Sequence, residues 1–448
     1  MGPSSSTRVS LARVPTAHVL LRMFDDVVSA PSHLVHVLPG APGRAEPRRA
    51  TPGGHDASVR RVNSPAPDTS AAPRPRTVLD VAGHAPLRPA ARAALLEALD
   101  QGWADPRRLF AEGRRARLLL DGAREALAAS LGARTDEVDL VGTHTLALHN
   151  AVRSVARGRR RAGADVVIGA VERAALHHAA AFVTAGAGGE VRTVGVDADG
   201  RVDPDAFVAA AAAGTGLAVL QHANGEVGTR QPVDEVHTGL RATGVPLVVD
   251  LGASAGHVDV GRSGDVLVAD AGDWGGPALG VVVTRAGVRR SPDWPQDEDR
   301  WSPGGVHVPT ALAAAVALQD ALADRDRADT HRRALVDEIR RRVVAEVPDV
   351  QVAGDPDDRL PHVVTFSCLY VDGEAVVDRL DRAGFGVGSG SACTSSTLEP
   401  SHVLAAMGVL TQGNVRLSLP PDVDPAAVRR FCDDLPGAVA DVRAALGA

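Results

Sequence analysis

The stretch LAVLQHANGEVGTRQPVDEVHTGLRATGVPLVVDLGASAGHVDVGRSGDVLVADAGDWGGPALGVVVTR occupies residues 217–285. Four short apolar runs stand out in it: Leu217–Leu220, Leu247–Val249, Val266–Ala269 and Val281–Thr284. Each is bounded by Gly, Pro, Asn or Asp, and none alternates apolar with polar residues. Such runs predict strands buried on both faces, as in a mostly parallel sheet covered by helices. Val166–Ile168 reads as a fifth strand, and Arg107–Leu131 and Ala147–Arg157 read as helices of the covering layers.

Outward from this core the pattern changes twice. Residues 1 to about 76 are rich in Pro, Ser, Ala and Arg and read as a disordered leader. Residues 77–310 carry the strand–helix alternation. From 311 to 448 the order is two helices (Pro309–Leu322 and Thr330–Glu346), strand His362–Tyr370, helix Glu374–Ala383, a Gly/Ser loop and helix Pro425–Leu446. The expected fold class is therefore α/β: a large domain with a mostly parallel sheet flanked by helices, and a smaller C-terminal α+β domain.

Composition narrows the function classes. The net charge of −7 and the scattered arginines give no nucleic-acid or membrane surface. No run approaches the eighteen or so apolar residues of a membrane span. Three cysteines (Cys368, Cys393 and Cys432) are too few for a disulfide framework and fit a reducing compartment, so a cytoplasmic protein is expected. All 48 basic side chains counted as Lys+Arg are arginine; the chain has no lysine.

The candidate nucleophile is Cys393, in SGSACTSSTLEPSHVLAAMG (Ser389–Gly408). Small and hydroxyl residues surround it, which suits an accessible reactive thiol rather than core. Cys368 and Cys432 lie in apolar surroundings and read as structural. Asp250 ends an apolar strand, and sheets of this kind bind ligands beyond the carboxyl ends of their strands. The strand-to-helix turn in EVDLVGTHTLALHNAV (Glu137–Val152) offers backbone N–H groups to an anion.

These segments, with QHANGEVGTRQPVDEV (Gln221–Val236), PLVVDLGASAGHVDV (Pro246–Val260) and TQGNVRLSLP (Thr411–Pro420), resemble the cysteine desulfurases of the class V aminotransferase family. The likeness runs from Val78 onward. It implies a pyridoxal-phosphate-dependent transferase-like fold of type I with a seven-stranded-type sheet, built as a homodimer. It also implies pyridoxal 5'-phosphate as cofactor and L-cysteine, or a persulfide donor or acceptor protein, as partner. By this resemblance Cys393 carries the persulfide, Arg416 holds the substrate carboxylate and Asp250 pairs with the pyridine nitrogen. Thr143, His144 and Thr145 lie at the phosphate turn, and Asn224 lies beside the ring.

Departures from the family pattern cluster on the cofactor cup. The Schiff-base lysine position is Asp273, and a phosphate-binding serine is Asp270. The ring-stacking histidine is Arg173, and His144 stands at an alanine place. The ring-contacting asparagine is Gly225, and a glutamine is Ala253. An aldimine needs a primary amine, which arginine cannot supply. The expectation is a protein of sulfur transfer whose pyridoxal chemistry is impaired or lost, the cofactor being non-covalent at best. The alternative is an inactive homologue that scaffolds or heterodimerises with an active desulfurase. Arg173 and Asp273 are expected to pair across the cup, and no metal site is expected from the spacing of the carboxylates.

Overall fold

The computed structural model describes residues 76–295, 297–389 and 400–447. The expected leader therefore lies outside the described residues except Arg76, and so does Cys393.

The apolar runs form one seven-stranded sheet, ordered β2 (Val138–Val141), β8 (Gly280–Thr284), β7 (Val266–Asp270), β6 (Leu247–Asp250), β5 (Gly214–Gln221), β3 (Gly163–Gly169) and β4 (Val191–Val194). Neighbours from β7 to β4 pair in parallel; β8 runs antiparallel to both β7 and β2. All strands but β8 thus point one way, and their carboxyl ends share one edge. Successive residues feed opposite cores. Val167, Leu220, Val249 and Leu267 face helices α1 (Pro89–Gln101) and α2 (Ala111–Ser130), whereas Ile168, Val219, Val248 and Val268 face α3 (His144–Arg159) and α4 (Ala174–Ala187). This two-sided burial is why the runs lack polar alternation.

Helix α3 begins at His144, three residues before its expected start, because the Thr143 hydroxyl accepts the Leu146 N–H at 3.2 Å and caps the helix. Two short helices, α5 (Pro204–Ala210) and α6 (Val233–Leu240), complete the large layer.

One long helix, α7 (Val308–Glu346), replaces the two expected after residue 308. Its middle, ADRDRAD (323–329), is polar but holds neither Pro nor Gly, and an Asp324–Arg327 ion pair at 2.6 Å spans one turn. Ala311–Ala321 lie in the large core, whereas Leu335, Val336, Ile339 and Val343 lie in the small one. The small domain adds β9 (Val350–Ala353), β10 (Val363–Cys368), α8 (Gly373–Arg382), β11 (Phe385–Gly386), α9 (His402–Met407), β12 (Asn414–Ser418) and α10 (Pro425–Leu446). No helix among the described residues is long and apolar enough to cross a membrane.

The small domain also takes the start of the described chain. β1 (Thr77–Val78) pairs in parallel with β11, and Leu79 is fully buried among Phe366, Phe385 and Leu417. The structural division thus differs from a cut at 310/311: residues 77–80 belong with the small core, and α7 is shared. Leu79→Ala should cost about 2–5 kcal/mol, while Val78→Ala, at a half-exposed neighbour, should cost less than about 1 kcal/mol. Denaturant unfolding of both variants checks this; equal losses would remove β1 from the small core.

Candidate functional site

The carboxyl edge of the sheet delivers Asp250 from the end of β6 and Asp270 from the end of β7, opposite the first turn of α3. Asp250 is 2% exposed, and both of its oxygens are taken. His144 Nε2 lies 3.0 Å from Oδ1, and Arg173 Nε donates to Oδ2 at 2.9 Å. The Gly252 N–H donates to Oδ1 at 2.7 Å. The other nitrogen of His144, Nδ1, lies 3.7 Å from Asp270 Oδ2. A continuous line of contacts, Arg173–Asp250–His144–Asp270, therefore runs through the cup.

The expected Arg173–Asp273 pair is not made. Arg173 goes to Asp250, which stands closer to the start of α4. Asp273 turns the other way: its Oδ1 accepts the Gly83 N–H at 2.8 Å and its Oδ2 lies 3.0 Å from His257 Nε2. Arg332, in mid-α7 and 1% exposed, donates Nη1–H to His257 Nδ1 at 3.1 Å. The His362 ring lies over His257 with centroids 4.1 Å apart. Asp273, His257, Arg332 and His362 form one wall of a cleft of ≈ 460 Å³ whose rim includes Arg88 and Ser418.

This second cluster was not visible in the sequence. His257, Arg332 and His362 are far apart along the chain, and each alone reads as a buried polar residue. Together His257, Asp273 and His362 are the one group among the described residues with ligand atoms close enough for a metal ion. Arg332 argues against that use. It makes His257 Nδ1 the acceptor, so Nε2 carries the proton and points it at Asp273, leaving no lone pair for a metal. The arrangement is a carboxylate–imidazole–guanidinium hydrogen-bond line.

Protonation follows the same geometry. Burial would raise the Asp250 carboxyl, but His144 and Arg173 more than offset it and hold it well below the usual range. Asp273 is also lowered: burial opposes, and the hydrogen bonds from His257 and the Gly83 N–H prevail, with Arg173 adding its charge. Asp270 moves up through burial, only partly countered by His144, with Asp273 adding repulsion. Burial drives Glu172, next to Arg173, well above the usual carboxylate range, and neither of its oxygens has a partner among the described residues. His362 falls well below the ordinary imidazole value, first through burial and then through the nearby Arg332 guanidinium.

The remaining candidates lie around this centre. Thr143 and Thr145 are exposed at the start of α3, with the Thr143 hydroxyl committed to its cap. Asn224 organises its own turn: Oδ1 accepts the N–H groups of Glu226 and Val227, and Nδ2 donates to the Val171 carbonyl. Arg416, on β12, donates to Asp80 Oδ2 at 2.9 Å, and its backbone exchanges hydrogen bonds with Gly388. On the far side of the Cys393 segment, Ser401 Oγ donates to Glu226 Oε1 at 2.6 Å and His402 Nε2 donates to the Glu172 carbonyl at 2.8 Å. Both roots of that segment are thus tied beside cup residues.

A carboxylate with a depressed folded pKa stabilises above its unfolded value, about 3.9, because the unfolded chain then binds more protons as pH falls. The stability difference between the wild type and Asp250→Asn should be constant near neutrality and shrink as pH drops below about 4. Denaturant titrations across that range test it; parallel pH curves would show that the carboxylate is not held by these partners.

Comparison with known proteins places this geometry. The sequence signature described as Aminotransferase class-V matches residues 77–268 and 293–431. The chain is 31% identical over 350 residues to the cysteine desulfurase IscS of Dictyoglomus turgidum, covering 76% of this chain and 89% of that protein. It is 33% identical over 383 residues to an IscS-like cysteine desulfurase of Mycobacterium tuberculosis, covering 82% and 97%. A solved NifS-like protein superposes with a TM-score of 0.75 at 21% identity over 82% of this chain and 100% of its own, a likeness of fold. DndA from Streptomyces lividans gives 0.65 at 26% identity, covering 76% and 99%. The chain belongs to the class V aminotransferase family, and its cysteine desulfurase relatives mark it as a member with the pyridoxal-phosphate-dependent transferase fold.

Proposed function

We propose that this protein acts in sulfur transfer as a persulfide carrier on Cys393, without the covalent pyridoxal phosphate chemistry of its family. The observation that carries the reading is Asp250. Its two oxygens are engaged by His144 and Arg173, whose side chains take up the approach that a protonated pyridine nitrogen would need. Other features agree. Asp273 stands at the lysine place in a chain that has no lysine, and its carboxylate is committed to Gly83 and His257. Asp270 sets a carboxylate where a phosphate would approach. The residues present do not fit the cofactor.

What the chain retains is the thiol segment, rooted at Gly388 against Arg416 and at Ser401 and His402 against Glu226 and Glu172. The transfer needs no oxidant or reductant. The Cys393 thiolate attacks the outer sulfur of a donor persulfide; the new S–S bond forms on Cys393, the old one breaks, and the donor leaves as a thiolate that takes a proton. An acceptor thiolate repeats the step in the opposite sense. Arg416 and its partner Asp80 set the charge at the root of this segment.

Two further readings accompany this one. The unpaired cysteines Cys368 and Cys432 support a reducing, cytoplasmic setting. The exposed Trp103, Leu109 and Phe110 between α1 and α2 support a homodimer. Leu109→Asp should then lower the mass seen by light scattering, and a monomeric wild type would end that proposal.

The principal test is mass spectrometry of Cys393 after incubation with L-cysteine, alone and together with an active cysteine desulfurase. A sulfur adduct only with the active enzyme, lost in Cys393→Ser, is the expected result. An adduct with L-cysteine alone would mean that the protein desulfurates cysteine itself. No adduct under either condition would leave the scaffold reading.

A further inference from the structure

The cup is enlarged at some positions and trimmed at others, and the two sets of changes touch. A Cβ on Gly252 would lie 2.4 Å from His144 Cε1 and 2.7 Å from Nε2, so the imidazole reaches Asp250 only because residue 252 has no side chain. A Cβ on Gly225 would lie 3.4 Å from an Arg173 guanidinium nitrogen and 3.3 Å from the Ala253 Cβ. His144 and Arg173 stand where the family resemblance places alanine and histidine. Gly225 and Ala253 stand where it places asparagine and glutamine. Drift would lose contacts at random; here the added ring fits only beside a glycine, and the added guanidinium lies in van der Waals range of a trimmed position.

We propose that His144 and Arg173 are built-in occupants of the cup. The His144 imidazole takes the place on Asp250 that a protonated ring nitrogen would use, and Arg173 closes the carboxylate's other oxygen. The ring site is therefore plugged by the chain, rather than merely deprived of a lysine. Without His144, the void above Asp250 is shaped and charged for a small protonated nitrogen heteroaromatic such as imidazole or pyridine. The inference rests on the reading above for the identity of the cup, and it is separate from the fate of the Cys393 thiol.

The test measures thermal unfolding of the wild type, His144→Ala, Gly252→Ala and the double variant, each with and without imidazole or pyridine. His144→Ala should melt lower and recover at least half of its loss with either heteroaromatic, while methylammonium at the same concentration restores little and the wild type does not respond. Gly252→Ala should lower the melting temperature of the wild type and cost much less in the His144→Ala background, a coupling that contact between the two positions requires. Equal responses of the wild type and His144→Ala to imidazole, or an equal cost of Gly252→Ala in both backgrounds, would overturn the proposal.

A second measurement covers the case in which His144→Ala does not fold. The wild type and Asp273→Lys are mixed with pyridoxal phosphate and desalted. Neither should retain the absorbance of the bound cofactor, because the plug remains in both. Retention by Asp273→Lys alone would show that the lysine was the only missing part and would overturn the plug. None of these outcomes alters the persulfide result at Cys393, so the two readings fail separately.

Discussion

A carboxylate removed from water must find donors, and Asp250 finds them in His144, Arg173 and the Gly252 N–H. At an effective dielectric of about 20, unit charges 4 Å apart interact by about 4 kcal/mol, a large part of the net stability of a typical domain. The end of β6, the first turn of α3 and the start of α4 are held together at this one side chain. Removing Arg173 would leave His144 in place, and the guanidinium is 35% exposed. Its loss is accordingly worth less than the about 3–5 kcal/mol of a fully buried broken pair.

Asp273 shows how position decides what a second buried acid does. It is three residues past Asp270, yet it faces away from the Asp250–His144 contact. Through Gly83 it fixes the turn that follows β1; through His257 it reaches Arg332 in α7. The cup and the cleft meet at the turn from Asp270 to Asp273. Each acid has its own donors, His144 and Arg173 for Asp250 and Gly83 and His257 for Asp273. Neither is neutralised: both carboxyls are lowered, while the burial-dominated Asp270 and Glu172 move up.

Much of the fold was legible because it rests on local rules. The five apolar runs all lie within strands, and α10 spans Pro425–Leu446 as read, since Asp424 caps it and Pro425 opens it. The break expected in α7 falls on its polar middle, and polarity does not end a helix when no residue breaks the backbone. The site was legible in its residues but not in its pairings. Asp250, Asp270, Arg173 and His144 were each singled out, but which cation goes to which acid depends on side-chain direction at the sheet edge. His257, Arg332 and His362 carried no usable spacing, because the fold, and not a motif, brings them together. The small residues beside His144 and Arg173 are the sequence sign on which the proposed plug rests, since each reads as a loss until its neighbour is known.

The 39-residue helix α7 has a mechanical consequence. At 1.5 Å per residue it is a rod of about 58 Å, with no proline or glycine after Pro309 at which to kink. Its ends are embedded in different cores, and Arg332 clamps its middle to the wall of the cleft. The two lobes are splinted, so their spacing is set by the rod, and a load on one lobe is delivered to the other as torque rather than absorbed at a joint.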